Sequence, residues 1–257
     1  MRFLSTRSRR IVLGSVVASC LFALAPTRAL AQAAPPAAPP PPPAREGSAE
    51  FAFIGTTGNA ENKTINLGGE FIVRPDQWVV RNKVGFVRNM ADGAASAESL
   101  QYLFRGDRAL SPRTSAFGEY SYFRDEFSGV SNRNSLVAGV SQKLVNHAPH
   151  ALSVDAGLGY LNEQRTTDPD VSSGTYSFGA AYRWKLSPTA ELSEDARFTG
   201  LFSQASDWRM DETLAITARL TGLFSLKASN TIRYANAPVS GFKTTDTITA
   251  IALVAKF

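Results

Sequence analysis

The residues able to do chemistry are few and poorly placed for it. The only histidines, His147 and His150, flank Pro149, and neither has a serine two residues on, so a serine–histidine hydrolase would lack its base. Two imidazoles also make a poor metal cluster. Asp168 and Asp170 sit on either side of Pro169, a spacing that reads as turn formation rather than paired acid–base work. No phosphate-cradling loop or nucleotide fingerprint occurs. The only cysteine, Cys20, lies near the N-terminus, so a chain cut after it has neither disulfide nor thiolate site. The residues therefore predict no enzyme, no cofactor and no metal.

What remains is a set of charged residues that recur at every second position inside otherwise apolar segments. Basic members are Arg81, Lys83, Arg105, Lys143, Arg183, Lys185, Arg197, Arg219, Lys227 and Arg233. Acidic members are Glu70, Glu119, Asp125, Asp155, Glu163, Asp195 and Asp246. On a strand such spacing puts all of them on one face. Rings of Arg and Lys attract anions, so the set could line a pore with anion preference. Charges of both signs could instead neutralise one another and fill the space.

The segments that must carry these charges alternate with period two from Ala49 to the end, with no long helical stretch. Ile65, Leu67, Gly69, Phe71 and Val73 form one apolar face. Leu152, Val154, Ala156, Leu158 and Tyr160 form another, and Tyr176, Phe178, Ala180, Tyr182, Trp184 and Leu186 a third. Weaker versions fill the gaps, giving about twelve segments, an even number as single-chain bacterial barrels require. The region allows roughly 17 residues per segment and connection, against the roughly 9–11 a tilted spanning strand needs. Proline turns at Arg74-Pro75-Asp76, Leu110-Ser111-Pro112, His147-Ala148-Pro149 and Ser187-Pro188-Thr189 fall at alternate connections. The other connections, near 57–62, 89–96, 126–131, 165–173, 204–209 and 236–243, are short for surface loops, and none looks long enough to plug a lumen.

Apolar residues outside and charges opposite predict an all-β transmembrane antiparallel barrel rather than a lipocalin-like or sandwich protein. Aromatics at segment ends (Trp78, Tyr160, Tyr182, Trp184, Tyr234) match interfacial girdles. The chain ends on Phe257 in the series Ile251, Leu253, Ala255, an outer-membrane assembly signal read by the barrel-assembly machinery.

The N-terminus supplies the address. Arg2, Arg7, Arg9 and Arg10 precede the apolar run Ile11–Ala25, and Ala29-Leu30-Ala31 offers a cleavage site. Residues 1–31 thus read as a signal peptide. Val17-Ala18-Ser19-Cys20 resembles a lipoprotein box, but the apolar run continues beyond it. Ser8-Arg9-Arg10 resembles a twin-arginine motif, a route unsuited to a lipid-facing barrel. Residues 32–48, almost wholly Pro and Ala, read as a semi-rigid periplasmic tether. The chain holds 27 basic and 22 acidic residues, but residues 1–31 carry five Arg and no acid. The remainder is balanced, which removes the case for nucleic-acid binding.

Several short motifs add a resemblance. They are Gly55-Thr56-Thr57-Gly58-Asn59; Asp125-Glu126-Phe127 with Arg133; Gly157-Leu158-Gly159-Tyr160; and Pro238 with Gly241-Phe242-Lys243-Thr244-Thr245-Asp246. In this order the chain resembles the salt-induced outer-membrane proteins, the YdiY-like family, across most of 50–257. Phe51 and Phe53 stand where a tryptophan is expected, and Ala255-Lys256-Phe257 lacks the tyrosine often found there. The resemblance implies an outer-membrane barrel linked to salt or envelope stress and brings no catalytic residue.

The expectation is a single-copy barrel over 49–257 in outer-membrane lipid, acting as a narrow passive channel for small anionic solutes. Its rival is a non-conducting structural barrel with a charge-packed lumen. The lumen residues that would decide between them are Arg81, Lys83, Arg105, Glu119, Asp155, Arg183, Lys185, Arg197, Arg219, Arg233 and Asp246.

Overall fold

In a computed structural model that describes residues 42–56 and 62–257, twelve antiparallel strands close into one barrel. They are β1 Arg45–Thr56, β2 Asn62–Val73, β3 Trp78–Ala91, β4 Ala94–Ala109, β5 Thr114–Asp125 and β6 Val130–His147. Then follow β7 His150–Arg165, β8 Val171–Lys185, β9 Ala190–Leu201, β10 Trp208–Arg219, β11 Phe224–Ala235 and β12 Thr245–Lys256. Each strand pairs with its sequence neighbours, and β12 returns to β1. The signal segment, Cys20 and most of the proline tether lie outside the described residues. β1 begins at Arg45, so pairing reaches into residues read as tether.

The alternation does what the sequence predicts. Leu158 and Phe178 are well exposed on the outer wall, while Thr175 and Ser177, on the opposite face of β8, are buried. An apolar exterior around a polar interior is stable only with lipid outside, so the fold is a membrane-spanning barrel.

The end that carries the start of β1 and the C-terminus is called proximal here. The proline turns all lie there, where Pro removes a donor that no ladder needs. Among the distal connections, 89–96 departs from expectation. It is no loop: strand pairing continues to a two-residue turn, Asp92-Gly93, with φ of 50° and 82°. Both central residues of such a hairpin need positive φ, and Asp-Gly is the dipeptide that tolerates it.

Aromatics ring both ends. Proximally, Arg108 lies over Trp78, and His150 stacks on Tyr182 with Nδ1 2.8 Å from the phenol oxygen and Trp184 beside it. His150 therefore belongs to the outer belt rather than to a solvent turn. Distally, Phe202, Tyr176, Phe198, Trp208 and Tyr234 form a chain of ring contacts across β8–β11.

Closure is the thinnest joint. β1 and β12 pair at four positions, from Ser48–Lys256 to Phe51–Leu253. Phe257 extends the seam by two backbone hydrogen bonds with Gly47, at 2.7 and 2.9 Å. Its ring lies where a Cβ on residue 47 would be, so a larger residue there would push the ring aside. Deleting Phe257 removes both bonds, at about 1 kcal/mol each. The expected result is a drop of roughly 5 °C in the temperature at which the folded, fast-migrating gel band converts to the unfolded one. Gly47→Val, which displaces the ring but leaves both backbone bonds available, should lower it by less.

Candidate functional site: the charged lumen

The inner faces make one continuous site, and it is asymmetric. Along β5–β8 the wall is packed. Gly157 leaves room for Val137 and Phe117, which turn inward against it. Phe117, Val137, Leu161, Thr175 and Ser177 are all buried. The lumen still holds a cavity of about 580 Å³ to which all twelve strands contribute lining residues, many of them hydroxyls, amides and charges.

The charges fall into groups set by height in the barrel. Midway, Arg105 is buried over the Phe117 ring and binds Asp107, Glu119 and Asp155 at 2.9–3.2 Å. Arg197 reaches from β9 to Glu119 and Asp155, at 3.3 and 3.6 Å. Two cations and three anions thus share one ion-pair network, as charges out of water require.

The distal group was legible only in part. Glu163 has no exposed surface and meets three guanidinium groups, those of Arg133, Arg165 and Arg209. Asp207 completes it, 2.8 Å from Arg165 and 3.5 Å from Arg209. Sequence reading put Glu163 inside but did not single out Arg165, Asp207, Arg209 or Asp107. The available signal was opposite charge at i and i+2: Glu163/Arg165 and Arg105/Asp107 each share a face of one strand, and Asp207 stands just before the strand that carries Arg209.

Above this group the lumen is roofed. The segment between β11 and β12 folds inward rather than outward. Val239 is buried against Gly129, and the Ser240 amide donates to Asp168 at 2.8 Å. The Thr167 hydroxyl donates to the Ser240 carbonyl at 3.1 Å. Asp125 caps the short 3-10 turn Glu126–Ser128 that ends at Gly129, with φ of 83°. Below the roof, Arg233 spans from β11 to Gln101 on β4 (3.2 Å) and Asp125 on β5 (4.0 Å), over the Phe123 ring. The expectation that no loop could plug the barrel is therefore corrected. A segment of ordinary length suffices because Val239 and Phe242 give it apolar anchors.

The proximal mouth differs. Arg81 pairs with Glu70 (3.1 Å) and Arg183 with Asp195 (2.8 Å), all partly exposed; Lys227 pairs with Glu50 (2.8 Å). Among the described residues, Lys83, Lys143, Lys185 and Lys256 have no ion pair and are exposed; Arg219, also exposed, donates to the Pro188 carbonyl at the rim. Lys143, Lys185, Lys256 and Arg219 lie toward the proximal ends of β6, β8, β12 and β10, while Lys83 stands deeper on β3, in register with Glu70 and Leu103. Asp246 faces inward opposite Arg233 in the β11–β12 register. Of the residues expected to line the lumen, Arg105, Glu119, Asp155 and Arg197 meet in one network. Arg183 and Arg81 sit in separate pairs, Lys185 and Arg219 at the mouth, and Lys83 deeper on β3.

Among the described residues, no three of His, Cys, Asp or Glu gather to hold a metal ion. The arrangement is that of a solute passage or closed vessel, in a membrane barrel of the outer-membrane type. The chain belongs to the family described as "Protein of unknown function, DUF481", whose model matches residues 49–257. It is 23% identical over 138 residues to the uncharacterized protein YdiY of Escherichia coli (strain K12), covering 53% of each chain. The match thus spans about half the length of that curated relative. Among solved structures, it is similar to an outer membrane channel from Pseudomonas putida F1, with TM-score 0.48, 12% identity, and coverage of 84% of this chain and 96% of that one. It is also similar to the NanC porin, with TM-score 0.46, 6% identity, and coverage of 82% and 97%.

Proposed function

We propose that the protein is a narrow passive channel of the outer membrane, selective for small anionic solutes, with its proximal mouth in the periplasm. One observation carries this reading: the polar cavity of about 580 Å³ is bordered toward the proximal end by exposed cations that have no ion pair among the described residues. Lumen acids are mostly held by arginines and offer a passing cation little, whereas free lysines raise the local anion concentration. Each chain closes its own barrel, so one copy supplies a complete passage. Cleavage after Ala31, a periplasmic tether and recognition of the Phe257 strand by the assembly machinery would deliver it there.

The test is conductance of the refolded barrel in a planar bilayer under a salt gradient. Discrete steps with an anion-selective reversal potential are expected. Lys83→Glu with Lys185→Glu should move that potential toward cations by tens of millivolts at low salt and much less at high salt, where exposed charges are screened. An unmoved potential would remove these lysines from the selectivity region.

A second reading has its own observation, the roof over the distal end. A barrel sealed by residues 236–244 and by Arg233 would be a non-conducting envelope element linked to salt or envelope stress. A demonstrably folded barrel that stays silent, with or without its roof, would favour it.

A further inference from the structure

One lumen arginine passes over its nearest acids. Arg233 on β11 stands in register with Asp211 on β10 and with Asp246 on β12, and all three line the cavity. Residues directly opposite on one face of an antiparallel pair hold their Cβ atoms about 4.5–5.5 Å apart, so both carboxylates are within reach of this guanidinium. Yet neither Asp211 nor Asp246 has an ion pair among the described residues. Arg233 crosses the lumen instead. On the far wall its Nη2 donates to Gln101 Oε1 at 3.2 Å, its Nη1 stands 4.0 Å from Asp125 Oδ2, and its guanidinium carbon lies 4.9 Å over the Phe123 ring. Strands β11 and β5 face each other across the closed barrel, so the side chain lies athwart the passage.

The forces on it are closely matched. Asp211 and Asp246 are exposed within the lumen, where solvent screens their charge. Asp125 is partly buried and screened less, and the face of Phe123 adds a cation–π attraction. Against this, Asp125 is already engaged. Its Oδ1 accepts from the Phe127 and Ser128 amides, both at 3.1 Å, and its 4.0 Å approach to Arg233 is the longest ion pair among the described residues. The arginine thus has one position across the lumen and a second along its own wall, between two acids that nothing else holds. The Asp125 charge tips the choice toward the first.

We propose that Arg233 is a two-position crossbar: lying on Phe123 and Asp125 it bars the passage beneath the roof, and folding back between Asp211 and Asp246 it clears it, with Asp125 as the residue that positions it. As a gate it rests on the channel reading; the two positions themselves do not.

The test turns on Asp125→Asn. Asn caps a turn about as well as Asp, so this change keeps the Glu126–Ser128 turn and removes only the charge facing Arg233. In planar bilayers Asp125→Asn should raise single-channel conductance as much as Arg233→Ala does, and the two together no further. Adding Asp211→Asn and Asp246→Asn to Asp125→Asn should bring conductance back toward the unmodified value, because the wall position is then lost. A second measurement needs no conduction: the temperature at which the folded gel band converts to the unfolded one. Asp211→Asn with Asp246→Asn should lower it by under about 1 °C in the unmodified chain and by roughly 2 °C or more in the Asp125→Asn chain, since only there do these acids hold the arginine. Equal shifts in the two chains, or discrete steps that Asp125→Asn leaves unaltered, would overturn the crossbar. Unequal shifts in barrels that are all silent would uphold its two positions and overturn the channel reading instead.

Discussion

Replacing Glu163 with Gln should destabilise the barrel by about 3–5 kcal/mol, the cost of breaking a buried ion network by removing one partner. The substitution keeps shape and one acceptor but removes the charge that compensates Arg133, Arg165 and Arg209. Asp207 alone would then face Arg165 and Arg209, and Arg133 would lose its one acidic partner among the described residues. On a chain of this size the loss corresponds to a fall of roughly 10 °C or more in the folded-to-unfolded gel transition. Asp195→Asn, which breaks the exposed pair with Arg183, should shift the same transition hardly at all, because exposed pairs contribute about 0–1 kcal/mol. Arg209→Leu added to Glu163→Gln should recover part of the loss by removing one stranded cation. If Glu163→Gln and Asp195→Asn behave alike, burial of the distal cluster is not what holds that end together.

The contrast between those two pairs shows where sequence reading reaches and where it stops. Strand number, the alternate proline turns and the inward face of each segment follow from local alternation, because each strand meets lipid on one side and lumen on the other. Arg105, Glu119, Asp155 and Arg197 were assigned inward on that basis alone, and the four pair with one another. Their partners could not be read the same way. Glu119 and Arg197 meet across 78 positions, Arg233 and Gln101 across 132, and Lys227 and Glu50 across 177. Those meetings depend on the register of all intervening strands, which a period-two pattern does not specify. Nor does it say which inward charges stay unpaired, and the proximal lysines differ from the distal arginines in just that respect.

The roof has the largest expected effect on transport. Shortening the β11–β12 connection by deleting residues 238–241 should raise single-channel conductance several-fold and reduce the asymmetry between positive and negative voltages. The deleted stretch contains Val239, which anchors on Gly129, and Ser240, which holds Thr167 and Asp168. Asn236, which donates to the Ser206 carbonyl at 2.9 Å, and Thr244, which accepts from Ala235, remain to close the hairpin. Arg233 lies directly beneath and still bridges to Gln101 and Asp125, so the deletion separates two barriers that act in series. Arg233→Ala alone should change conductance less than the deletion if the roof is the narrower barrier, and the two together should exceed either. A milder probe is Asp168→Ala, which removes a single acceptor worth about 1 kcal/mol and should raise the open population roughly five-fold without changing the size of the open step. Equal conductance in the unmodified and shortened barrels would locate the limiting constriction lower, in the network of Arg105, Glu119, Asp155 and Arg197, where no loop movement could relieve it.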